Sequence, residues 1–134
     1  MDIPQNQKLY EHYIATLWFD DMGILYSVSK PGPRSIPIMQ DYIDFVKNIT
    51  LNKKVYLLTD ISKAFPMDEE TRKFSATHLP QVYNAMAIYS KTPLGNAVGK
   101  IFLDLESQPY PIKMFDDLDA ARLWLSYQSK GIPT

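Results

Sequence analysis

The stretch Val55-Tyr56-Leu57-Leu58-Thr59-Asp60-Ile61-Ser62-Lys63-Ala64-Phe65-Pro66-Met67-Asp68-Glu69-Glu70-Thr71 sets the architecture of the chain. Val55 to Leu58 form an unbroken apolar run, the pattern of a strand shielded on both faces in the middle of a parallel sheet. Asp60 closes that strand, and a short loop containing Pro66 follows. Asp68 then offers a short carboxylate to cap a helix, with Glu69 and Glu70 set against the positive end of its dipole. Strand, loop and capped helix make one unit of an alternating α/β chain.

The same unit recurs on both sides. Upstream, Ile14 to Phe19 alternates, with Leu17 and Phe19 on one face and Thr16 and Trp18 on the other. The Asp20-Asp21-Met22-Gly23 turn leads to Ile24, Tyr26 and Val28, so a β-hairpin is predicted. Pro31, Gly32 and Pro33 make a loop. Ser35 caps a helix whose apolar positions are Ile38, Tyr42, Phe45, Val46 and Ile49. Downstream, the Asp68 helix is predicted to run until Pro80 disturbs it. Ala85 to Tyr89 is the next strand. Thr92 and Pro93 open a helix with an apolar stripe at Leu94, Val98, Ile101, Phe102 and Leu105. Pro111 to Phe115 is the last strand, and Asp116 or Asp117 caps a helix that buries Leu118, Ala121, Trp124 and Leu125.

The predicted architecture is therefore a single α/β domain in the order ββαβαβαβα. It has a mostly parallel five-stranded sheet, an N-terminal hairpin and four helices. Residues 1–13 form an N-terminal extension, 14–128 the domain, and 129–134 a frayed tail. If strands adjacent in sequence are adjacent in space, right-handed crossovers wind all four helices onto one face. The other face is then partly open. Leu9, Tyr10 and Tyr13 of the extension, or a second subunit in a homodimer, are the candidates to cover it.

Composition narrows the function classes. The 134 residues carry 46% apolar and 22% charged side chains, as expected of one folded domain. The formal net charge of −1 comes from scattered charges of both signs. That predicts neither a nucleic-acid footprint nor a polybasic membrane patch. With no cysteine there is no disulfide, thiolate nucleophile or cysteine-held metal. Met1 to Lys8 is polar, which predicts no signal peptide, and no window is long and apolar enough to span a membrane. A cytoplasmic protein without a cofactor is the expectation.

From about Ala15 to Leu125 the chain resembles STAS domains, in particular a divergent branch similar to the sporulation anti-sigma-factor antagonists. The resemblance rests on the opening hairpin, the Leu58-Thr59-Asp60-Ile61-Ser62 strand end, the Met67-Asp68 helix start and Arg72. Ala85-Met86-Ala87-Ile88, Pro111-Ile112-Lys113-Met114-Phe115 and Ala120-Ala121-Arg122-Leu123-Trp124-Leu125 complete it. The resemblance implies a STAS-like fold and a regulatory module that docks a protein partner. The antagonists open this helix with Asp-Ser-Ser-Gly, where this chain has Asp68-Glu69-Glu70-Thr71. Asp68 is kept, and the phosphorylatable serines are gone. Glu69 and Glu70 either mimic a phosphorylated state or simply start the helix well. Ser62 and Thr71 are the nearest hydroxyls open to modification.

Other chemistries fit poorly. Asp20, Asp21, Asp60, Ser90 and Lys113 follow the order of a phosphoacceptor receiver site. Gly23 to Ser29 is strand-like where a receiver needs a helix, and Asp20 and Asp21 suit a turn. The only histidines are His12 and His78. No nucleophile elbow, phosphate loop or metal-spaced histidine pair is present, so no catalytic residue is assigned. The expectation is a non-enzymatic interaction module whose partner- or ligand-binding residues are Asp60, Ser62, Phe65, Asp68, Glu69, Glu70 and Arg72. Arg72 is either a partner contact or a surface pair with Asp68 or Glu69. The alternative is a carrier or sensor of a small apolar or lipid-like ligand, using the soft side chains of Phe65, Met67, Phe74, Met86 and Met114.

Overall fold

The computed structural model describes residues 1–133. Strands β1 (Tyr10–Glu11), β2 (Ala15–Phe19) and β3 (Leu25–Ser29) precede helix α1 (Ile36–Ile49). Then follow β4 (Val55–Asp60), α2 (Glu69–His78), β5 (Tyr83–Tyr89), α3 (Pro93–Leu105), β6 (Ile112–Phe115) and α4 (Leu118–Lys130). They form one six-stranded mixed sheet in sequence order, β1-β2-β3-β4-β5-β6. The first two pairings are antiparallel and the last three parallel.

The sheet has six strands where five were expected. The extra one is β1, in the N-terminal extension, where Tyr10 pairs with Leu17 and Glu11 with Thr16. Two residues are too few to show a period of two.

Strand alternation divides the core. Leu17, Leu25, Leu57, Met86 and Ile88 face Met39, Ile43 and Val46 of α1, with Ala76 of α2 and Phe102 of α3. Trp18, Tyr26, Leu58, Ala85, Ala87 and Tyr89 face the other way, against Ala121 and Leu125 of α4. The expectation that all four helices share a face is thus corrected. Helices α1, α2 and α3 each join parallel neighbours, so the right-handed crossover sends them to one side. Among the described residues no strand follows α4, and it folds back beneath the sheet, where Met1 and Leu9 also pack. Of the extension residues expected to cover this face, Leu9 does so, whereas Tyr10 packs against the other core and Tyr13 is exposed.

Caps fall where the sequence places them. The side chains of Ser35, Asp68, Thr92 and Asp117 accept backbone N–H bonds at the starts of α1 to α4. Pro80 lies in a 3₁₀ turn, Leu79–Gln81, that ends α2. The expected tail is shorter, since α4 continues through Lys130 and stops at Gly131, whose φ of 69° is left-handed. Thr134, its last residue, lies outside the described residues.

Helix α3 departs most from its expected packing. Its buried residues are Gly95, Gly99 and Phe102, whereas Leu94, Ile101 and Leu105 are exposed. The glycines let its backbone close on the loop after β4. A Cβ at Gly95 would lie 2.3 Å from Ser90 Oγ and 2.8 Å from the Ile61 carbonyl oxygen. At Gly99 the nearest atoms are the flexible ends of Met114 and Ile61. Gly95→Ala is expected to lower the unfolding free energy by about 1–3 kcal/mol through overpacking, and Gly99→Ala by less. Urea midpoints of the two variants check the order, which a larger loss at Gly99 would contradict.

Candidate functional site

The loops leaving β3 and β4 at their C-terminal ends border a cavity of about 90 Å³ between the sheet and helices α1 to α3. Most of its wall is apolar, including Met39, Met67, Met86, Ile88 and Phe102. Phe65, 41% exposed, reaches both solvent and cavity and so stands at the mouth. Among the described residues the lining holds no carboxylate, histidine or lysine.

Several polar groups converge there. Ser27 Oγ on β3 donates to Thr59 Oγ1 on β4 at 2.7 Å, and the Tyr42 and Tyr83 hydroxyls share a hydrogen bond of 2.7 Å. Burial raises both tyrosine pKa values, so the pair is neutral at ordinary pH. Ser75 Oγ donates to the Thr71 carbonyl oxygen at 2.8 Å.

Arg34, one residue before the cap of α1, is the only cation on the lining among the described residues. Its Nη2 donates to Ser29 Oγ at 3.2 Å. Its Nε is shut off from solvent and has no hydrogen-bond partner among the described residues. Among the described residues no ion pair includes Arg34. Burial lowers its pKa, with Tyr42 and Tyr83 opposing that shift. An arginine side chain nonetheless keeps its proton.

The residues chosen from sequence do not form one site. Asp60 points to the opposite face, where its Oδ2 lies 2.6 Å from the Met1 ammonium and its Oδ1 accepts the Ser62 N–H at 2.9 Å. Burial alone would raise the Asp60 pKa, but these hydrogen bonds and the ammonium charge outweigh it and hold the carboxyl below its ordinary value. Ser62 joins two loops. Its Oγ accepts the Lys91 N–H at 2.9 Å, and its carbonyl oxygen accepts from Thr92 Oγ1 at 2.7 Å.

On α2, Asp68 Oδ1 accepts the Thr71 N–H at 2.8 Å, Glu69 pairs with Lys73 at 2.9 Å, and Glu70 is exposed. Thr71 is buried. Arg72 differs from both expectations, because its Nε donates to Glu106 Oε2 at 2.8 Å in a largely buried pair that ties α2 to the end of α3. Of the candidate ligand-binding side chains, Phe65, Met67 and Met86 line the cavity. Phe74 and Met114 pack against the core instead. The receiver-like constellation dissolves too, since Asp20 accepts the Met22 and Ile24 N–H groups within its turn.

Sequence reasoning missed Arg34, Ser27, Ser29, Thr59, Tyr42 and Tyr83. No local spacing marks them, because β3, β4, β5 and α1 bring them together from distant parts of the chain. Among the described residues no group of three or more His, Asp or Glu side chains could hold a metal, and no helix is long and apolar enough to cross a membrane.

Fold and site together define a one-domain α/β protein with a largely apolar chamber at the C-terminal edge of its parallel strands. The chain belongs to the family described as Domain of unknown function (DUF7793), whose sequence profile matches residues 17–128. No curated protein and no solved structure matches it.

Two solution outcomes follow. Arg34→Met removes a half-buried charge with no ion-pair partner among the described residues, at the loss of one neutral acceptor bond, and is expected to raise the unfolding free energy by up to about 1 kcal/mol. Urea denaturation measures this, and a clear loss of stability would contradict the unpaired state. For Asp60, the folded pKa is depressed, so its contribution is complete above the unfolded value of roughly 3.9. It is lost as pH falls below that towards the folded value. Asp60→Asn should therefore weaken the protein at pH 7 and differ little from the wild type in strong acid, as urea midpoints at several pH values would show.

Proposed function

We propose that the domain is a non-enzymatic binding module that holds a small, largely apolar ligand in the cavity beneath α1, α2 and α3. The observation that carries this reading is the cavity itself, a gap in a core whose other apolar side chains close together. Native interiors leave few voids larger than a water molecule, and apolar ones accept apolar guests. Met39, Met67 and Met86 give the wall adaptable side chains, and Phe65 is placed to act as the gate. The lining has hydroxyls but no carboxylate or imidazole to serve as a general base, which favours binding over catalysis.

A regulatory role for that binding is supported by a second observation. Leu94, Ile101 and Leu105 form an exposed apolar ridge along α3, whose Val98 and Gly99 line the cavity together with Phe65. The strand and helix order from β2 onward also agrees with the STAS-like reading. The resemblance implied docking on the Asp60 to Arg72 segment; in the present proposal a protein partner docks instead on the α3 ridge and senses whether the cavity is filled.

The chain purified without denaturant is expected to release a small molecule, close to one per chain, when unfolded and extracted. Returning that extract to stripped protein carrying ¹³C-methyl methionine should shift the Met39, Met67 and Met86 signals and spare exposed Met22. A chain that releases nothing, and whose cavity methyl groups respond to no fraction of a cell extract, would overturn the ligand-binding reading.

A further inference from the structure

The apolar ligand of the preceding reading leaves Arg34 without a purpose. Its side chain borders the cavity, its Nε is closed off from solvent, and among the described residues its side chain bonds only the neutral Ser29 hydroxyl. The carboxylates in ion pairs are committed elsewhere. Asp41 bonds His12, Glu11 pairs with Lys30, Glu106 with Arg72, Glu69 with Lys73, Asp119 with Arg122, and Asp60 with the Met1 ammonium. Apart from Ser29, the cavity hydroxyls bond other protein groups and do not answer the charge. A neutral guest would seal the cation further from water and leave it unpaired.

The geometry points to a small monocarboxylate as the ligand, its carboxylate accepting from the Arg34 guanidinium and its apolar body lying among Met39, Met67 and Met86. This deepens the binding reading above and rests on it. Planar guanidinium and carboxylate groups match in shape, and a free Nε supplies one arm of the two-pronged contact. One fixed positive charge suits one negative charge. A phosphate ester carries about −1.5 to −2 near neutral pH, and the lining offers no second cation to balance it. Size sets the body. At about 90 Å³ the cavity is smaller than the ~150 Å³ void known to accept the six carbons of benzene, so it suits a body of about four carbons with the carboxylate at its edge beside Arg34, as in a short branched acid, and not a long fatty-acid chain.

The test titrates the full chain with 3-methylbutanoate and with its neutral isostere 3-methylbutanamide, read by calorimetry and by the methionine methyl signals. The acid is expected to bind roughly tenfold or more tightly than the amide, as a charge-assisted bond to a buried partner requires. It should shift the Met39, Met67 and Met86 methyl groups and the Arg34 Nε–H resonance. Arg34→Gln should abolish the preference while amide binding stays within about twofold, since the apolar contacts are untouched. Equal affinity of the wild type for acid and amide overturns the carboxylate assignment and leaves the apolar-ligand reading standing. Failure of both probes to bind also overturns it, and the extraction experiment then decides the broader reading by itself. Should Arg34→Gln not fold, the acid-against-amide comparison on the wild type is sufficient to uphold or overturn the assignment.

Discussion

Strand β4 has to be dry on both sides, and much of the remaining structure follows from meeting that demand. Leu57 and Leu58 are adjacent in sequence, so strand geometry sends them to opposite faces, and each face needs its own cover. Right-handed crossovers deliver α1, α2 and α3 to the Leu57 side. The Leu58 side is left to α4 and the N-terminal segment, with Trp18 stacked on Tyr26 at 5.6 Å and Ala121 and Leu125 fully buried. The two sides are not equivalent. Small Ala85 and Ala87 let the single helix α4 settle close to the sheet. The three helices opposite meet over larger and softer side chains, and there the cavity remains.

Glycine controls the approach of α3 to that cavity. Gly95 brings the helix against Ser90 and the Ile61 carbonyl, and Thr92 ties its start to the Ser62 carbonyl oxygen. The close fit turns Leu94, Ile101 and Leu105 outward. An apolar stripe read at helical spacing was thus real as a pattern and misleading as a guide to burial. A small-residue face can pack more tightly than a bulky one, and the bulky residues then become surface.

Local chemistry was legible in the chain. Ser35, Asp68, Thr92 and Asp117 announce their helices because a cap depends on residues a turn apart. The strand run from Val55 and the hairpin turn at Asp20 to Gly23 are equally local. The placement of α4 was not legible, because no following strand dictates its side. The site was harder still. Asp60, Ser62 and Asp68 looked functional by their position near a strand end, yet their polar atoms close loops and caps. Phe65 alone of the chosen seven borders the cavity. Arg34 acquires meaning only when β3, β4 and α1 come together around it, a relation of distant residues that no spacing in the sequence encodes.

The carboxylate assignment depends on an Arg34 side chain that borders a largely apolar chamber and has no counter-ion among the described residues. A crystal structure of the chain grown in 3-methylbutanoate examines that arrangement most directly. Carboxylate density is expected within hydrogen-bond distance of Arg34 Nε, with the branched end among Met39, Met67 and Met86. An Arg34 side chain swung out into solvent, over a cavity closed by its own methionines, would contradict it.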